Sequence, residues 1–228
     1  MIYFTGDTHC PLDISKLNTT NWPDQKQCSK EDVLFICGDF GGVWDGSKTD
    51  KCWLDWFERK NVTVVFCDGN HENFDLLNQY PIKEWMGGKV HEIRPSVFHL
   101  IRGEGYEIEG KKIFVLGGAD SHDKDRRTEG VNWWKEERPS DEELLHARQT
   151  LDRLNWEVDL VVTHTAPTKV VRELGYTVEG SSFQRFLDEM SVCLTFEYWV
   201  FGHFHRDVQI GSYVGLFEQV LSWEQLKK

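Results

Sequence analysis

The sequence of 228 residues lacks any stretch of about 18 consecutive apolar residues, so it predicts no membrane-spanning helix. Its first residues include neither a basic segment nor a long apolar one, so no secretion signal is expected.

Basic residues are scarce: 26 Lys and Arg stand against 38 Asp and Glu, which gives a formal net charge of −12. This balance argues against a protein that coats nucleic acid or an anionic membrane, because such binding needs a cationic surface. It leaves room for an acidic enzyme that meets phosphate through bound metal cations.

Cysteine occurs six times, but no two cysteines form a C-x-x-C pair. A structural zinc finger and a thioredoxin-like site are therefore not expected. Scattered thiols in a chain without a secretion signal are typical of a reduced, cytoplasmic protein. Internal repeats and Pro/Gly-rich linkers are also absent, so residues 1–228 are interpreted as a single domain.

What the sequence does contain is a series of short apolar runs, each of which stops at a Gly, Asp, Asn or His. Continuous runs rich in β-branched and aromatic residues are typical of strands that are buried on both faces. The predicted strands cover residues 2–5, 33–37, 62–67, 113–116, 160–162 and 198–201. Residues 207–210 and 213–217 surround Gly211-Ser212 and predict a hairpin.

Three segments have helical patterns. Residues 49–60 place aromatic side chains at helical spacing, with acids early and bases late. Residues 140–143 read Ser-Asp-Glu-Glu, a capping box that predicts the start of the clearest helix. Residues 183–188 form the third predicted helix.

Polar side chains follow the predicted strands at the points where the strands end. Asp7, Asp39 and Asn70 recur at intervals of 32 and 31 residues, which is about the size of one βαβ unit. Ligands of α/β sheets bind just beyond the carboxyl ends of the strands. We therefore expect these polar residues to meet at one edge of a sheet.

Seven such residues form a candidate metal site: Asp7, His9, Asp39, Asn70, His164, His203 and His205. A set rich in Asp, His and Asn, without Cys, suits divalent first-row ions such as Mn, Fe or Zn. Seven donors exceed the needs of one ion, but each of two ions receives four donors if Asp39 bridges them. Two ions about 3.5–4 Å apart can hold a shared hydroxide and polarise a phosphoryl oxygen. His71, next to Asn70, is the natural candidate for stabilising or protonating the leaving oxygen.

Asp and Asn also form ordinary turns after strands, which would explain Asp7, Asp39 and Asn70 one at a time. Turn formation does not explain the histidines that follow the last two strands, so metal binding is the favoured interpretation. The histidines outside the candidate site are interpreted as hydrogen-bonded core residues or polar loop residues: His91, His99, His146 and His122.

The ordered series D-x-H, G-D, G-N-H-E, H and G-H-x-H, which spans residues 7–205, resembles the calcineurin-like metallophosphoesterase superfamily. The resemblance implies an α/β fold, a four-layer sandwich of two mixed β-sheets flanked by helices, with a dinuclear metal centre at one edge. It implies that one metal is bound by Asp7, His9, Asp39 and His205. It implies that the other metal is bound by Asp39, Asn70, His164 and His203. His71 would be the catalytic histidine, acting together with the bridging Asp39.

The chain also departs from one branch of this superfamily. Phosphoprotein phosphatases carry G-D-x-x-D-R-G, whereas residues 38–43 read Gly-Asp-Phe-Gly-Gly-Val. The second Asp of that motif orients the catalytic histidine and its Arg grips phosphate, so their absence disfavours a serine/threonine phosphatase. Asp45, Asp68 or Glu72 could orient His71 instead, and the sequence leaves this choice open.

Residues 117–138 are the predicted substrate-selection segment, because they follow a strand as the metal-site segments do. Arg126 and Arg127 could hold a phosphate, while Trp133 and Trp134 could stack on a flat group. The sequence thus predicts a metal-dependent phosphoesterase acting on a phosphomonoester or phosphodiester, with small molecules or nucleotides favoured as substrates. The alternatives are a serine/threonine phosphoprotein phosphatase and, in another class, a catalytically silent metal-binding scaffold. Nothing in the sequence indicates the oligomeric state.

Overall fold

The computed structural model describes residues 1–178 and 180–226. The strands are β1 (Ile2–Thr5), β2 (Val33–Cys37), β3 (Thr63–Cys67), β4 (Ile82–Trp85), β5 (Gly88–Arg94), β6 (Val97–Leu100), β7 (Glu104–Ile108), β8 (Lys111–Leu116), β9 (Leu160–Thr163), β10 (Tyr198–Phe201), β11 (Val208–Ile210), β12 (Tyr213–Gly215) and β13 (Leu221–Ser222). The α-helices are α1 (Lys48–Glu58), α2 (Phe74–Leu77), α3 (Asp141–Arg153), α4 (Thr168–Glu173), α5 (Ser182–Cys193) and α6 (Trp223–Leu226). Short 3-10 helices cover Ile14–Leu17, Pro23–Lys26, Lys124–Arg126 and Lys135–Glu137.

The first sheet has the strand order β13-β1-β2-β3-β6-β5-β4. Its central strands β1, β2, β3 and β6 are parallel, whereas β13, β5 and β4 add antiparallel pairs at the two sides. Phe35 of β2 lies between Phe4 of β1 and Val65 of β3 in the register. The carboxyl ends of these three strands therefore finish side by side.

The second sheet has the strand order β11-β12-β10-β9-β8-β7. Strands β8, β9, β10 and β12 are parallel, and β7 and β11 are antiparallel edge strands. Leu160 of β9 pairs with Ile113 of β8 and with Tyr198 of β10. Strands β11 and β12 form the predicted hairpin around Gly211.

The two sheets pack face to face between helices. Phe4 and Val65 of the first sheet and Val162 of the second belong to one buried apolar cluster. The outer face of the first sheet packs against α1 through Phe57. The outer face of the second sheet packs against α3, α4 and α5, with Leu151 among the buried residues. These layers confirm the predicted four-layer α/β sandwich of two mixed sheets.

Burial on both faces explains why the strand predictions are correct. All five residues of β2, Val-Leu-Phe-Ile-Cys, are buried, because a sheet covers one face of the strand and helices cover the other. The predicted strands and the hairpin are all present, and their ends shift by at most two residues.

The sequence pattern does not predict β4 to β7. Strand β4, Ile-Lys-Glu-Trp, is largely exposed and carries no apolar run.

The three predicted helices are present as α1, α3 and α5. Ser47 caps α1 by accepting hydrogen bonds from the backbone N–H groups of Thr49 and Asp50. The capping box at Ser140 forms as predicted and begins α3. No helix in the described part of the chain has the length and apolar character needed to cross a membrane.

Candidate metal centre

The ends of five parallel strands bring the seven predicted metal ligands and His71 to one edge of the sandwich. Three of these strands belong to the first sheet and two to the second. The segment after β1 carries Asp7 and His9, the one after β2 carries Asp39, and the one after β3 carries Asn70 and His71. The segment after β9 carries His164, and the one after β10 carries His203 and His205.

The atoms that could bind metal form overlapping groups. In each group the candidate ligand atoms lie within 4.8 Å of one another. The three groups found among the described residues are Asp7/His9/His205, His9/Asp39/His71 and Asp7/Asp39/His164. The two remaining candidates lie beside the third group: Asn70 Oδ1 is 3.1 Å from His164 Nε2, and the rings of His203 and His164 are 4.9 Å apart. All seven predicted ligands are therefore neighbours.

The carboxylate of Asp39 lies at the centre of the cluster. Its Oδ2 is 3.2 Å from Nε2 of His9 and 3.3 Å from Nε2 of His164. Its Oδ1 accepts a hydrogen bond of 2.7 Å from the backbone N–H of His71. Asp7 shares a group of candidate ligand atoms with Asp39, and both of its carboxylate oxygens are 3.0 Å from the backbone nitrogen of His203. Asp39 thus contacts residues that follow three other strands: His9 after β1, His71 after β3 and His164 after β9.

Glycines next to the site residues make this close approach possible. A Cβ atom on Gly69 would lie 2.1 Å from Oδ1 of Asp39, and one on Gly38 would lie 2.2 Å from Nδ1 of His164. Gly38 also has a φ of +87°, in the left-handed region that favours glycine. The glycines of the G-D and G-N-H-E segments are therefore needed for packing within the site.

Four of the predicted ligands have left-handed backbone conformations, which are uncommon for residues other than glycine. Their φ values are +34° for His9, +47° for Asp39, +70° for His203 and +49° for His205. Such conformations cost about 1–3 kcal/mol each and persist where the surrounding structure imposes them, often at functional sites.

Hydrogen bonds at Nδ1, the ring nitrogen that points away from Asp39, orient His164 and His9. Nδ1 of His164 lies 2.8 Å from the carbonyl oxygen of Cys37 and donates a hydrogen bond to it. In the neutral ring the free lone pair is therefore on Nε2. Nδ1 of His9 lies 2.8 Å from a carboxylate oxygen of Asp13, with the same consequence. In both rings the nitrogen that faces Asp39 is the one able to bind a cation.

The charges buried at the centre also favour a cation. Asp7 and His164 are fully buried, and 1% of the surface of Asp39 is exposed. Burial raises the pKa of Asp7 to about 6. Burial opposes protonation of His164, but the carboxylates of Asp39 and Asp7 prevail and raise its pKa to about 10. A bound metal ion would replace the protons that the raised pKa values favour on Asp7 and His164. Carboxylate, amide and imidazole donors without a thiolate fit first-row divalent ions.

The ring of His71 lies beside this cluster and contacts Arg127. Nη1 of Arg127 is 3.1 Å from Nδ1 of His71. Because a guanidinium can only donate, Nδ1 must accept, and the proton of the neutral ring is on Nε2. Burial, reinforced by the positive charge of Arg127, lowers the pKa of His71. The guanidinium itself is held by a carboxylate oxygen of Asp123, 2.7 Å from Nε.

Each of the three carboxylates that could have oriented His71 forms at least one contact elsewhere. Oδ1 of Asp45 accepts a hydrogen bond from the backbone N–H of Ser47. Asp68 forms a buried ion pair with Arg102. Oε1 of Glu72 accepts from the backbone N–H of Phe40 at 2.7 Å. Arg127 instead forms a hydrogen bond with the ring of His71, a pairing that the sequence does not indicate.

The predicted substrate-selection segment only partly reaches the site. Arg127 lies at His71, whereas Arg126 is exposed on the 3-10 helix Lys124–Arg126. Trp134 is buried, and its indole N–H donates to Asp75 at 2.8 Å, so this ring packs into the interior. Trp133 is half-buried.

Two features near the site are absent from the sequence-based prediction: the position of Trp44 and the hydrogen bonds of Ser121. Trp44 lines a cavity together with His9 and His71. Ser121 accepts a hydrogen bond from the side-chain amide of Asn70 and donates one to Glu137. Trp44 follows Asp39 by five positions in the same loop, and this closeness in sequence could have indicated that Trp44 lies near the site. No local signal connects Ser121 and Glu137 to Asn70.

The sequence matches the family model of calcineurin-like phosphoesterases over residues 1–207, and the chain belongs to this family. The expected family and fold are confirmed. The family implies divalent metals, in agreement with the donor groups present. No curated protein sequence matches the chain significantly.

One similar solved structure is that of a candidate 5'-nucleotidase from Staphylococcus aureus in complex with alpha-ketoglutarate. The two chains share 16% sequence identity and superimpose with a TM-score of 0.51. The match covers 97% of this chain and 50% of the other, so this chain spans about half the length of that protein. At this identity the likeness shows the fold alone.

Proposed function

We propose that the chain is a two-metal phosphoesterase that hydrolyses small phosphoesters, either phosphomonoesters or phosphodiesters. Its first ligand set is Asp7, His9, Asp39 and His205, and its second is Asp39, Asn70, His164 and His203. The position of Asp39 carries this proposal. Its Oδ2 lies 3.2 Å from Nε2 of His9 and 3.3 Å from Nε2 of His164, so one oxygen reaches both sets as a bridging ligand must.

Two divalent ions at this centre would supply Lewis-acid stabilisation of negative charge on a phosphoryl group. His71 is placed to donate a hydrogen bond from Nε2 to the leaving oxygen, because its Nδ1 accepts from Arg127. Arg127 orients the ring and adds a positive charge beside it, which favours an anionic substrate. The buried carboxylates of Asp7 and Asp39 would hold the cations.

Small phosphoesters are favoured over nucleic acid or phosphoproteins as substrates. A net charge of −12 repels a polyanion such as DNA, whereas a single phosphate can reach bound cations. The chain lacks the Asp and Arg that phosphoprotein phosphatases place after G-D. The similar Staphylococcus aureus protein is described as a candidate nucleotidase, which agrees with a small phosphorylated substrate.

Hydrolysis assays with added Mn²⁺ or Zn²⁺ test the proposal. The substrates are a nitrophenyl phosphate, its bis-ester, cyclic nucleotides, nucleoside monophosphates and a phosphopeptide. We expect metal-dependent hydrolysis of at least one small ester, its loss with EDTA and its recovery on adding the ion back. Hydrolysis of the phosphopeptide alone would instead identify a phosphoprotein phosphatase.

Replacement of His71 by Ala separates catalysis from metal binding. We expect His71→Ala to lower kcat by about 10²–10⁴-fold, the usual contribution of a general acid or base. Metal analysis of the variant should still find the content of the unmodified protein. If the unmodified protein and the variant both bind metal but neither hydrolyses any of the esters, the chain is a catalytically silent scaffold.

A further inference from the structure

A cavity of about 320 Å³ opens beside His71, on the side of His9. Its other walls include Cys10, Leu12 and Trp44, so most of its lining is apolar. The volume lies within the range of about 300–1,000 Å³ that is usual for small-molecule sites. We call it the Trp44 cavity.

The aromatic wall of the Trp44 cavity is held in place before any ligand binds. A carboxylate oxygen of Asp50 accepts hydrogen bonds from the backbone N–H groups of Trp44, Asp45 and Gly46 at 2.8, 2.8 and 2.9 Å. The side-chain amide of Asn73 donates to the carbonyl of Trp44 at 2.6 Å. A wall anchored in this way loses little conformational entropy when a ligand packs on it.

The indole ring of Trp44 is also supported from behind. It meets the ring of Trp134 edge to face, with centroids 5.8 Å apart and an interplanar angle of 81°. Trp134 is buried, and its indole N–H is fixed by a carboxylate oxygen of Asp75 at 2.8 Å. Trp44 itself is half-buried, so part of its ring surface remains available to the cavity.

Leu12 forms an apolar edge of the same cavity. It is 80% exposed, and its backbone N–H donates a hydrogen bond of 2.7 Å to the carbonyl of His9. A large apolar side chain this exposed is covered favourably by any apolar group that enters beside it. Leu12 and Trp44 thus offer apolar surface next to the ring of His71.

We propose that the Trp44 cavity binds the alcohol part of the phosphoester and selects substrates in which that part is a planar aromatic group. This inference rests on the proposed phosphoesterase function. His71 belongs both to a group of candidate metal-binding residues and to the cavity lining, so a leaving oxygen at His71 directs its substituent into the cavity. A planar ring can pack on Trp44, in the geometry that aromatic pairs favour.

Polar and charged substituents fit the Trp44 cavity less well. Among the residues that line the cavity, the titratable side chains are those of His9, His71 and Cys10. A peptide or sugar would lose hydrogen bonds to water on entry and find few replacements, which disfavours such substrates.

Kinetics with benzyl phosphate and ethyl phosphate test the inference. The two leaving alcohols have similar acidity, so a difference in kcat/KM reports on the cavity rather than on leaving-group chemistry. We expect the unmodified protein to prefer benzyl phosphate by about 10-fold or more in kcat/KM. In Trp44→Ala this preference should fall by about 10-fold, and Trp44→Phe should retain most of it. Equal kcat/KM values in the unmodified protein, or an unchanged preference in Trp44→Ala, would overturn the inference and leave the phosphoesterase function intact.

A second variant pair guards against a folding defect at Trp44. Leu12→Ala should reduce the benzyl preference by a few-fold. Leu145→Ala is its matched control, because Leu145 is also an exposed leucine, at 55%, and lies on α3 outside the cavity. An equal reduction in both leucine variants would contradict the proposal.

Calorimetric binding separates the cavity from the chemistry. Benzylphosphonate and ethylphosphonate are stable to hydrolysis, and we expect the benzyl compound to bind about 10-fold more tightly to the metal-loaded protein. Tighter binding of benzylphosphonate without any turnover of the esters would support the cavity and contradict the proposed function. Equal binding of both phosphonates would contradict the cavity.

Discussion

The orientation of Asn70, one of the proposed ligands, depends on two other side chains, Ser121 and Glu137. Its amide nitrogen donates to Oγ of Ser121 at 3.2 Å, and Oγ donates to Oε2 of Glu137 at 2.5 Å. The backbone N–H of Ser121 also donates to Oε1 of Glu137 at 3.0 Å. Ser121 and Glu137 are both buried. This chain of hydrogen bonds leaves Oδ1 of Asn70 facing His164 and the candidate metal centre.

Removal of the Ser121 hydroxyl should therefore weaken metal binding. In Ser121→Ala the amide of Asn70 loses its acceptor, and we expect about a 10–100-fold loss of metal affinity, as is usual for groups that orient ligands. Calorimetry with Mn²⁺ or Zn²⁺ measures the change. Ser191→Ala is the control, because Oγ of Ser191 bonds to the carbonyl of Asp188 within α5. Equal metal affinities in the two variants would show that Ser121 does not position Asn70.

The neighbouring arginines of the predicted substrate-selection segment should differ in effect. Arg127 contacts the ring of His71, whereas Arg126 is exposed. We expect Arg127→Ala to lower kcat/KM by about 10²-fold, because small misplacements of a catalytic group cost that much. Arg126→Ala should stay within about twofold, as is usual for a surface side chain. Steady-state kinetics on the best substrate measure both, and a similar loss in both variants would contradict the separation.

Among the elements, α3 has the most completely defined start. Oγ of Ser140 accepts from the backbone N–H of Glu143 at 3.2 Å, and Oε2 of Glu143 accepts from the backbone N–H of Ser140 at 2.7 Å. The helix buries Leu144, Ala147 and Leu151 against the second sheet. Its beginning is therefore set by local hydrogen bonds and its orientation by apolar packing.

Loss of the cap should lower stability without changing the fold. We expect Ser140→Ala to reduce the free energy of unfolding by about 1 kcal/mol, because one backbone N–H at the helix start loses its acceptor. Ser140→Asp retains a capping oxygen and should lose less. Urea denaturation followed by circular dichroism measures both, and equal losses would exclude the cap as the cause.

At the scale of the whole molecule, a buried ion pair lies where the two sheets meet. Asp68 follows β3 of the first sheet, and Arg102 lies between β6 of the first sheet and β7 of the second. Nε of Arg102 donates to Asp68 at 2.9 Å, and Nε2 of His99 is 3.1 Å from the other oxygen of Asp68. The backbone carbonyl of Asp68 also accepts from Gly118, beyond the end of β8. Asp68 thus joins both sheets close to the candidate metal centre.

This ion pair should make stability depend on pH. Burial opposes ionisation of Asp68, but Arg102 and His99 prevail and hold its pKa well below the usual range. A carboxyl with a lowered pKa stabilises the fold above its unfolded pKa of about 3.9, and this contribution is lost as the pH falls through the folded pKa. We expect Asp68→Asn to reduce the free energy of unfolding by about 3 kcal/mol near pH 7.

Denaturation at several pH values measures this effect. The difference between the unmodified protein and Asp68→Asn should persist down to about pH 4 and shrink below it. Asp55→Asn is a suitable control, because Asp55 pairs with Arg94 at 3.0 Å but is 54% exposed. A constant difference between the unmodified protein and Asp68→Asn over the whole acid range would contradict ionisation of Asp68 as the cause.

The sequence alone determined the elements and residues whose signals are local. Strands such as β2 and β10 are continuous apolar runs, because both of their faces are buried, and the capping box at Ser140 needs only four consecutive residues. The site residues stand directly after strand ends, so their convergence at one edge followed from the geometry of parallel strands. That the seven residues bind two ions stays a proposal.

Tertiary structure alone decided which residues meet across long distances in the chain. The contact of Arg127 with His71 joins residues 56 positions apart, and that of Ser121 with Asn70 joins residues 51 apart. The Trp44 cavity forms between the segments after β1, β2 and β3. Exposed strands such as β4 have no apolar run, so only pairing with a neighbour makes them strands. No local pattern encodes such contacts, because they arise only when the sheets and helices have packed together.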